Sequence, residues 1–173
     1  MATLTPQAVH ALEPALYAYA RRALSDKELA RDLVQDTLLA ALQKPEGFEG
    51  RSTLRTWLIS ILSHKVIDHY RKSRPGSLEV PTDEDPDLLT HPSTAQLEQV
   101  LDDKAAVRKI ERALPGLPEL ERMAFLLVDV EGAEREAACN VLGVTPTHLR
   151  VLLHRARHRL RRTLEHVGLP DRA

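Results

Sequence analysis

The sequence predicts an all-α protein of two small helical domains joined by a flexible acidic linker, with a helix-turn-helix in the C-terminal domain. Three observations predict it. Apolar residues recur at helical spacing on both sides of one interruption. Seven glycines and 3% aromatic residues disfavour sandwiches and barrels. Residues 75–94 are crowded with Pro, Asp, Glu, Ser and Thr and have no periodic apolar face.

Residues 7–23 are expected to form a first helix, interrupted near Pro14. Ser25 or Asp26 caps the second, in which Ala30, Leu33, Val34, Thr37, Leu38, Ala41 and Leu42 keep an i, i+3, i+4, i+7 rhythm. Pro45 and Gly47 end it. After a loop over 46–51, Ser52 or Thr53 caps a third helix. It has Leu54, Trp57, Leu58, Ile61, Leu62 and Val66 inward and a basic end at Arg71, Lys72 and Arg74. Residues 1–74 are thus one domain, near the lower size limit for a stable core.

Pro75-Gly76 breaks the third helix, and 75–104 is the linker. Helical pattern returns around Ala95–Leu114, at the end of the linker and the start of the second domain, 105–173. A turn follows at Pro115-Gly116-Leu117-Pro118, and Leu120, Met123, Ala124, Leu127 and Val128 mark the next helix. Then comes a helix seated by Ala137, Ala138 and Val141, a tight turn at Gly143, and a last helix ending near Val167. Thr145 caps that helix, with Pro146 at its first position. Leu149, Leu152, Leu153, Ala156 and Leu160 seat it.

The last helix carries Arg150, Arg155, Arg157, Arg159, Arg161 and Arg162, with no acidic residue before Glu165. A basic second helix beyond a glycine turn is suited to the DNA major groove. Arginine attracts phosphates, and its planar fork grips guanine edges. The competing reading is an Arg-rich solvated face on an ordinary bundle.

The formal net charge of −1 conceals a division. Residues 1–74 hold 11 Lys/Arg against 8 Asp/Glu, 75–104 hold 1 against 8, and 105–173 hold 12 against 9. Two basic ends of +3 flank a middle of −7. Cys139 is the only cysteine, excludes an internal disulfide, and is expected to be a buried apolar thiol. No stretch has the length of a membrane span, and the N-terminus does not read as a leader, so a cytoplasmic protein without membrane insertion is expected. His154 and His158 have metal-binding spacing, but arginines surround them and no third ligand lies near in sequence, so no metal and no cofactor are expected. No phosphate-binding glycine loop, Ser/His/Asp grouping or paired carboxylate occurs, and no enzymatic activity is expected.

The run DLVQDTLLAALQKPEGFEGRSTLRTWLISILSHKVIDHYRK, from Asp32 to Lys72, resembles the second region of bacterial RNA polymerase sigma factors, most nearly the small extracytoplasmic-function (ECF) group of the sigma-70 family. Residues 113–164 resemble the fourth region, with LGV, HRAR and the LP start all matching. The resemblance implies a factor that directs core RNA polymerase to promoter DNA under the control of an anti-sigma factor. It implies polymerase binding through Asp32, Gln35, Asp36 and Leu39 on the polar face of the second helix. It implies −10 contacts from Phe48, Arg51, Arg55, His64, Lys65, His69, Tyr70, Arg71 and Lys72. Phe48 would line a pocket for a flipped base, and His64 would read it where many relatives carry asparagine. The basic residues and Tyr70 would hold phosphates and stack on single-stranded bases. It implies −35 contacts from Thr147, Arg150, Val151, His154 and Arg155. Val151 and Leu152 replace the hydroxyl and basic residues of many relatives, which shifts recognition toward thymine methyls and DNA shape. Trp57 reads as structural. An operator-binding regulator that acts without polymerase is the rival reading, and a protein that titrates another sigma factor or its inhibitor is a third.

Overall fold

In the computed structural model, residues 4–76, 78 and 104–167 are described, and every regular element among them is helical. Helix α1 (Pro6–Ala11) is capped by Thr5, whose side chain accepts from the Ala8 amide. The helix expected over 7–23 is in fact two, broken at Leu12. Helix α2 (Glu13–Ala23) starts afresh with Pro14 in its first turn, where a missing N–H costs nothing, so the proline begins a helix and does not interrupt one. Asp26 caps α3 (Lys27–Gln43), accepting from the Glu28 and Leu29 amides at 2.9 and 3.2 Å. Thr53 caps α4 (Leu54–Ser73).

The buried stripe of α4 is Leu58, Ile59, Leu62, Ser63, Val66, Ile67 and Tyr70. Leu54, Trp57 and Ile61, expected inward, are only partly covered. The stripe is turned so that Ser63 meets Tyr19 of α2, with hydroxyls 2.8 Å apart. Ser63 gives its one proton to the Ile59 carbonyl at 2.7 Å, so Tyr19 donates and Ser63 accepts. Apolar periodicity passes over Ser63 and Tyr70 of this stripe, and it therefore placed the face one position off.

In the second half, α5 (Lys104–Ala113) leads through a 3₁₀ turn (Leu114–Gly116) to α6 (Glu119–Phe125). This runs straight into a π-helical turn, Leu126–Val130, closed by the Glu131 amide on the Leu126 carbonyl at 3.0 Å. Helix α7 (Arg135–Leu142) buries Ala138, Cys139, Val141 and Leu142, whereas Ala137, expected inward, is exposed. Helix α8 spans Pro146–Val167. Of the expected linker, 77 and 79–103, and with them the helical pattern assigned to 95–103, lie outside the described residues, while Lys104 already belongs to α5.

The two halves share one continuous hydrophobic core. Helix α2 packs on the 3₁₀ turn, α6 and the π turn, and α4 packs on α7.

Glu121 of α6 is buried and accepts from Arg159 Nε at 2.9 Å. Burial raises its pKa above the ordinary 4.5, with Arg159 opposing. The folded chain therefore holds this proton to higher pH than the unfolded chain does. Between 4.5 and the raised value, Glu121's contribution to stability falls as pH rises. Glu121→Gln abolishes that titration. In urea unfolding, its stability relative to wild type is expected to improve from acid to neutral pH; a difference that stays flat across that range would refute the assignment.

Candidate nucleic-acid and partner surfaces

Helix α7 ends in a left-handed cap at Gly143, φ +66°, where the Val144 amide reaches back to the Cys139 carbonyl at 3.1 Å. Only a residue tolerant of that conformation turns the chain so tightly. Thr145 then caps α8, its hydroxyl accepting from the His148 amide at 3.2 Å. Leu149, Leu152, Leu153, Ala156 and Leu160 are buried and fix the helix on the core. Thr147 and Arg150 are thereby exposed, while Val151, His154 and Arg155 are half-buried on the same helix. The His154 and His158 rings stack with centroids 6.4 Å apart.

The arginines of α8 divide into two sets. Arg157 forks onto Asp129 at 2.9 and 2.7 Å, both side chains largely covered. Arg159 holds Glu121. These two anchor α8 to α6 and the π turn, so they do not belong with the DNA-facing charge. Charge counting had grouped them with Arg150 because sequence alone does not show which side of the helix is packed.

The polar face of α3 leaves Asp32, Gln35 and Asp36 exposed. Gln35 donates to Glu13 at 2.7 Å. Leu39 stands among them at 55% exposure, the one exposed large hydrophobic side chain among the described residues.

The loop before α4 is folded onto Trp57. The Phe48 ring lies 5.3 Å from it at 48°, and a Cβ on Gly47 would come within 3.3 Å of the indole. Phe48 is half-buried by this contact. Arg51 projects outward and pairs with Glu49 at 2.7 Å. His64 is exposed on the Trp57 side of α4, about 10 Å further along the helix axis. Lys65 and His69 are half-buried and Lys72 is exposed.

Three of the residues expected at the −10 element are engaged by the other half of the molecule. Arg55 pairs with Glu131, just beyond the π turn, at 3.0 Å. Arg71 Nη2 donates to the Leu142 carbonyl at 3.4 Å. Tyr70 is the clearest correction to the sequence reading: it is buried, and no face is open for stacking on a base in this arrangement. Its hydroxyl donates to the Ala23 carbonyl at 2.6 Å and accepts from Arg122 of α6 at 2.9 Å. Burial raises its pKa above 10.0, opposed by Arg122.

Sequence reasoning missed Glu119, Glu121, Arg122, Asp129 and Glu131. A signal was present: Glu121 and Arg122 interrupt the apolar run of Leu120, Met123 and Ala124, where unpaired charges are not tolerated.

Comparison with known proteins agrees with this layout. The family described as Sigma-70 region 2 matches residues 8–75, and Sigma-70, region 4 matches 107–160. The chain is 32% identical to the ECF RNA polymerase sigma factor EcfG of Rhodopseudomonas palustris over 159 residues, covering 91% of this chain and 83% of that one. It is 30% identical to the RNA polymerase sigma factor YlaC of Bacillus subtilis over 138 residues, 79% and 78% of the two chains. Among solved structures, the sigma factor RpoE of Bartonella quintana, crystallised with the anti-sigma factor NepR, aligns with a TM-score of 0.64 at 28% identity. That alignment covers 92% of this chain and 95% of that one. The two halves therefore carry, in order, the two regions of a sigma-70 transcription initiation factor. The chain belongs to the ECF group of RNA polymerase sigma factors. The rival of a regulator acting without polymerase is not favoured. No helix among the described residues is long and apolar enough to cross a membrane.

Tyr70→Phe removes the hydroxyl that joins α2, α4 and α6 and strips an acceptor from buried Arg122. A loss of about 1–3 kcal/mol in urea unfolding is expected. An unchanged midpoint would mean that this hydroxyl does not bridge the two halves.

Proposed function

We propose that this chain binds core RNA polymerase through Asp32, Gln35, Asp36 and Leu39 of α3 and carries it to promoters read at two elements. Thr147, Arg150, Val151, His154 and Arg155 meet the upstream duplex. Arg51, Arg55, Lys65, His69, Arg71 and Lys72 hold the backbone of the melted −10 strand, with Phe48 and His64 receiving a base. The domains that perform these tasks are 1–74 and 105–173. The chain contributes no covalent chemistry of its own; nucleotide addition belongs to the polymerase. It works in the cytoplasm, where promoters are, and an anti-sigma factor holds it inactive, as the pairing of the Bartonella quintana relative with NepR suggests.

The observation that carries this reading is the seating of α8. A leucine stripe buries one side and presents Thr147 and Arg150 outward, in a chain that also matches region 2. The test is reconstitution of core polymerase with the purified chain on genomic promoter fragments. Promoter-dependent transcripts are expected only when the chain is added. Tight, sequence-specific binding to duplex by the chain alone, without stimulation of polymerase, would overturn it.

Within that assay, Arg150→Ala is expected to lose about 1–3 kcal/mol of upstream-element recognition while core binding stays intact. Equal output from mutant and wild type across upstream variants would remove Arg150 from the site.

His64→Ala is expected to impair transcription from duplex templates more than from templates with a pre-melted −10 bubble, because melting costs a few kcal/mol that base capture offsets. Imidazole both donates and accepts, so preference at one −10 position is expected to change as well. If neither template type responds, His64 is a surface residue and the base is read elsewhere.

A further inference from the structure

A cavity of about 300 Å³ lies where the start of α3, the end of α4 and α6 meet. Leu24, Leu29 and Leu117 give it an apolar wall, and Arg122 lines it as well. Arg122 is 6% exposed. Its Nη2 donates to the Tyr70 hydroxyl at 2.9 Å, and its Nη1 reaches the Leu114 and Pro115 carbonyls, each at 3.4 Å. Its Nε is buried and has no acceptor. None of these partners is an anion. A guanidinium buried among a phenol and two carbonyls is left without a counter-charge, which is costly away from water.

The other charged groups around the cavity are already matched. Asp26 Oδ1 accepts from the Glu28 and Leu29 amides and caps α3. Arg74 Nη1 donates to Glu119 at 2.8 Å. The charge left over is that of Arg122. Ser25 and His69 line the same space and bring hydroxyl and imidazole donors. A volume of about 300 Å³ is at the lower end for small-molecule sites, so it suits a compact ligand and not a polymer.

From this unbalanced charge we propose that the cavity binds a small phosphate monoester, with its phosphate on Arg122 and its apolar body against Leu24, Leu29 and Leu117. A phosphate brings three acceptor oxygens, enough to serve Arg122 Nε, Ser25 and His69 together, where a carboxylate brings two. The cavity does not include the residues assigned to polymerase or to the upstream duplex. The site therefore goes beyond the sigma-factor reading and does not rest on it.

The full chain is titrated with phenyl phosphate by isothermal calorimetry, with ionic strength held constant by sodium chloride. Inorganic phosphate and benzoate are the comparison probes. Saturable binding of phenyl phosphate is expected, about threefold or more tighter than that of inorganic phosphate, because its ring is buried against leucines. The unfolding temperature is expected to rise with phenyl phosphate concentration, since the ligand binds the folded chain. Arg122→Met removes the charge at similar length and is expected to weaken binding about tenfold or more. If that variant does not fold, Ser25→Trp decides. It fills the cavity from an exposed position, leaves Arg122 and its partners in place, and is expected to abolish binding. Arg108→Met, at an exposed arginine of α5 outside the cavity, is expected to bind as wild type does. The proposal is overturned if phenyl phosphate shows no saturable binding, or if Ser25→Trp binds it as tightly as wild type. It is overturned equally if inorganic phosphate or benzoate matches phenyl phosphate. Transcription by reconstituted polymerase tests the sigma-factor reading separately. Its failure leaves the anion site standing, and absence of phenyl phosphate binding leaves the sigma-factor reading standing.

Discussion

The burial of one guanidinium constrains the rest of this molecule. Arg122 lies between α4 and α6 with 6% exposure, hydrogen-bonded to a tyrosine of one half and two carbonyls of the other. A cation taken out of water must be surrounded by oxygens or it destabilises whatever buries it. No carboxylate forms an ion pair with it among the described residues, so it depends on a phenol and on the 3₁₀ turn that aims the Leu114 and Pro115 carbonyls. That requirement fixes the turn and the rotation of α4 that brings Tyr70 inward. Tyr70 in turn reaches the Ala23 carbonyl at the end of α2. Three helices are thereby held by polar atoms in the middle of an otherwise apolar core.

Electrostatics here serves two purposes with the same residue type. Arg157 and Arg159 are consumed by the fold, where bidentate or partly covered geometry makes an arginine–carboxylate pair specific. Arg150 is left in water, where it costs little to desolvate against a ligand. A helix that must be both firmly seated and strongly cationic needs both kinds. Asp129 and Glu121 keep the anchoring arginines from adding to repulsion along α8.

Much of the fold was legible in the sequence because helical periodicity and capping chemistry are local. The stripe on α3, the caps at Thr53 and Thr145 and the glycine turn at Gly143 were all written in neighbouring residues. What was not legible depended on partners far away in the chain. Tyr70 was read as an exposed aromatic beside a basic run, and nothing local reveals that Arg122 covers it. Ala137 was placed inward by spacing, yet small residues serve either face. The break at Leu12 was displaced from Pro14 because a proline reads as an interruption when it stands in fact in a helix's first turn. At the candidate site, the buried leucine stripe of α8 was legible from its spacing, while the residues assigned to the upstream duplex came from the family resemblance. The division of its arginines between anchoring and exposure did not, since that needs the carboxylates of α6 and the π turn.

The π-helical turn at Leu126–Val130 has a further consequence. It takes up one more residue than an α-helical turn would, at the hinge between α6 and the recognition motif. Asp129 and Glu131, two positions apart, face different neighbours, Arg157 on one side and Arg55 on the other. Losing a single residue there would let the turn relax to α-helix with the flanking elements kept close to their present headings, because such a turn takes up one extra residue locally. A one-residue change of length in this short stretch is therefore absorbed locally, and the angle between the two DNA-reading surfaces is kept.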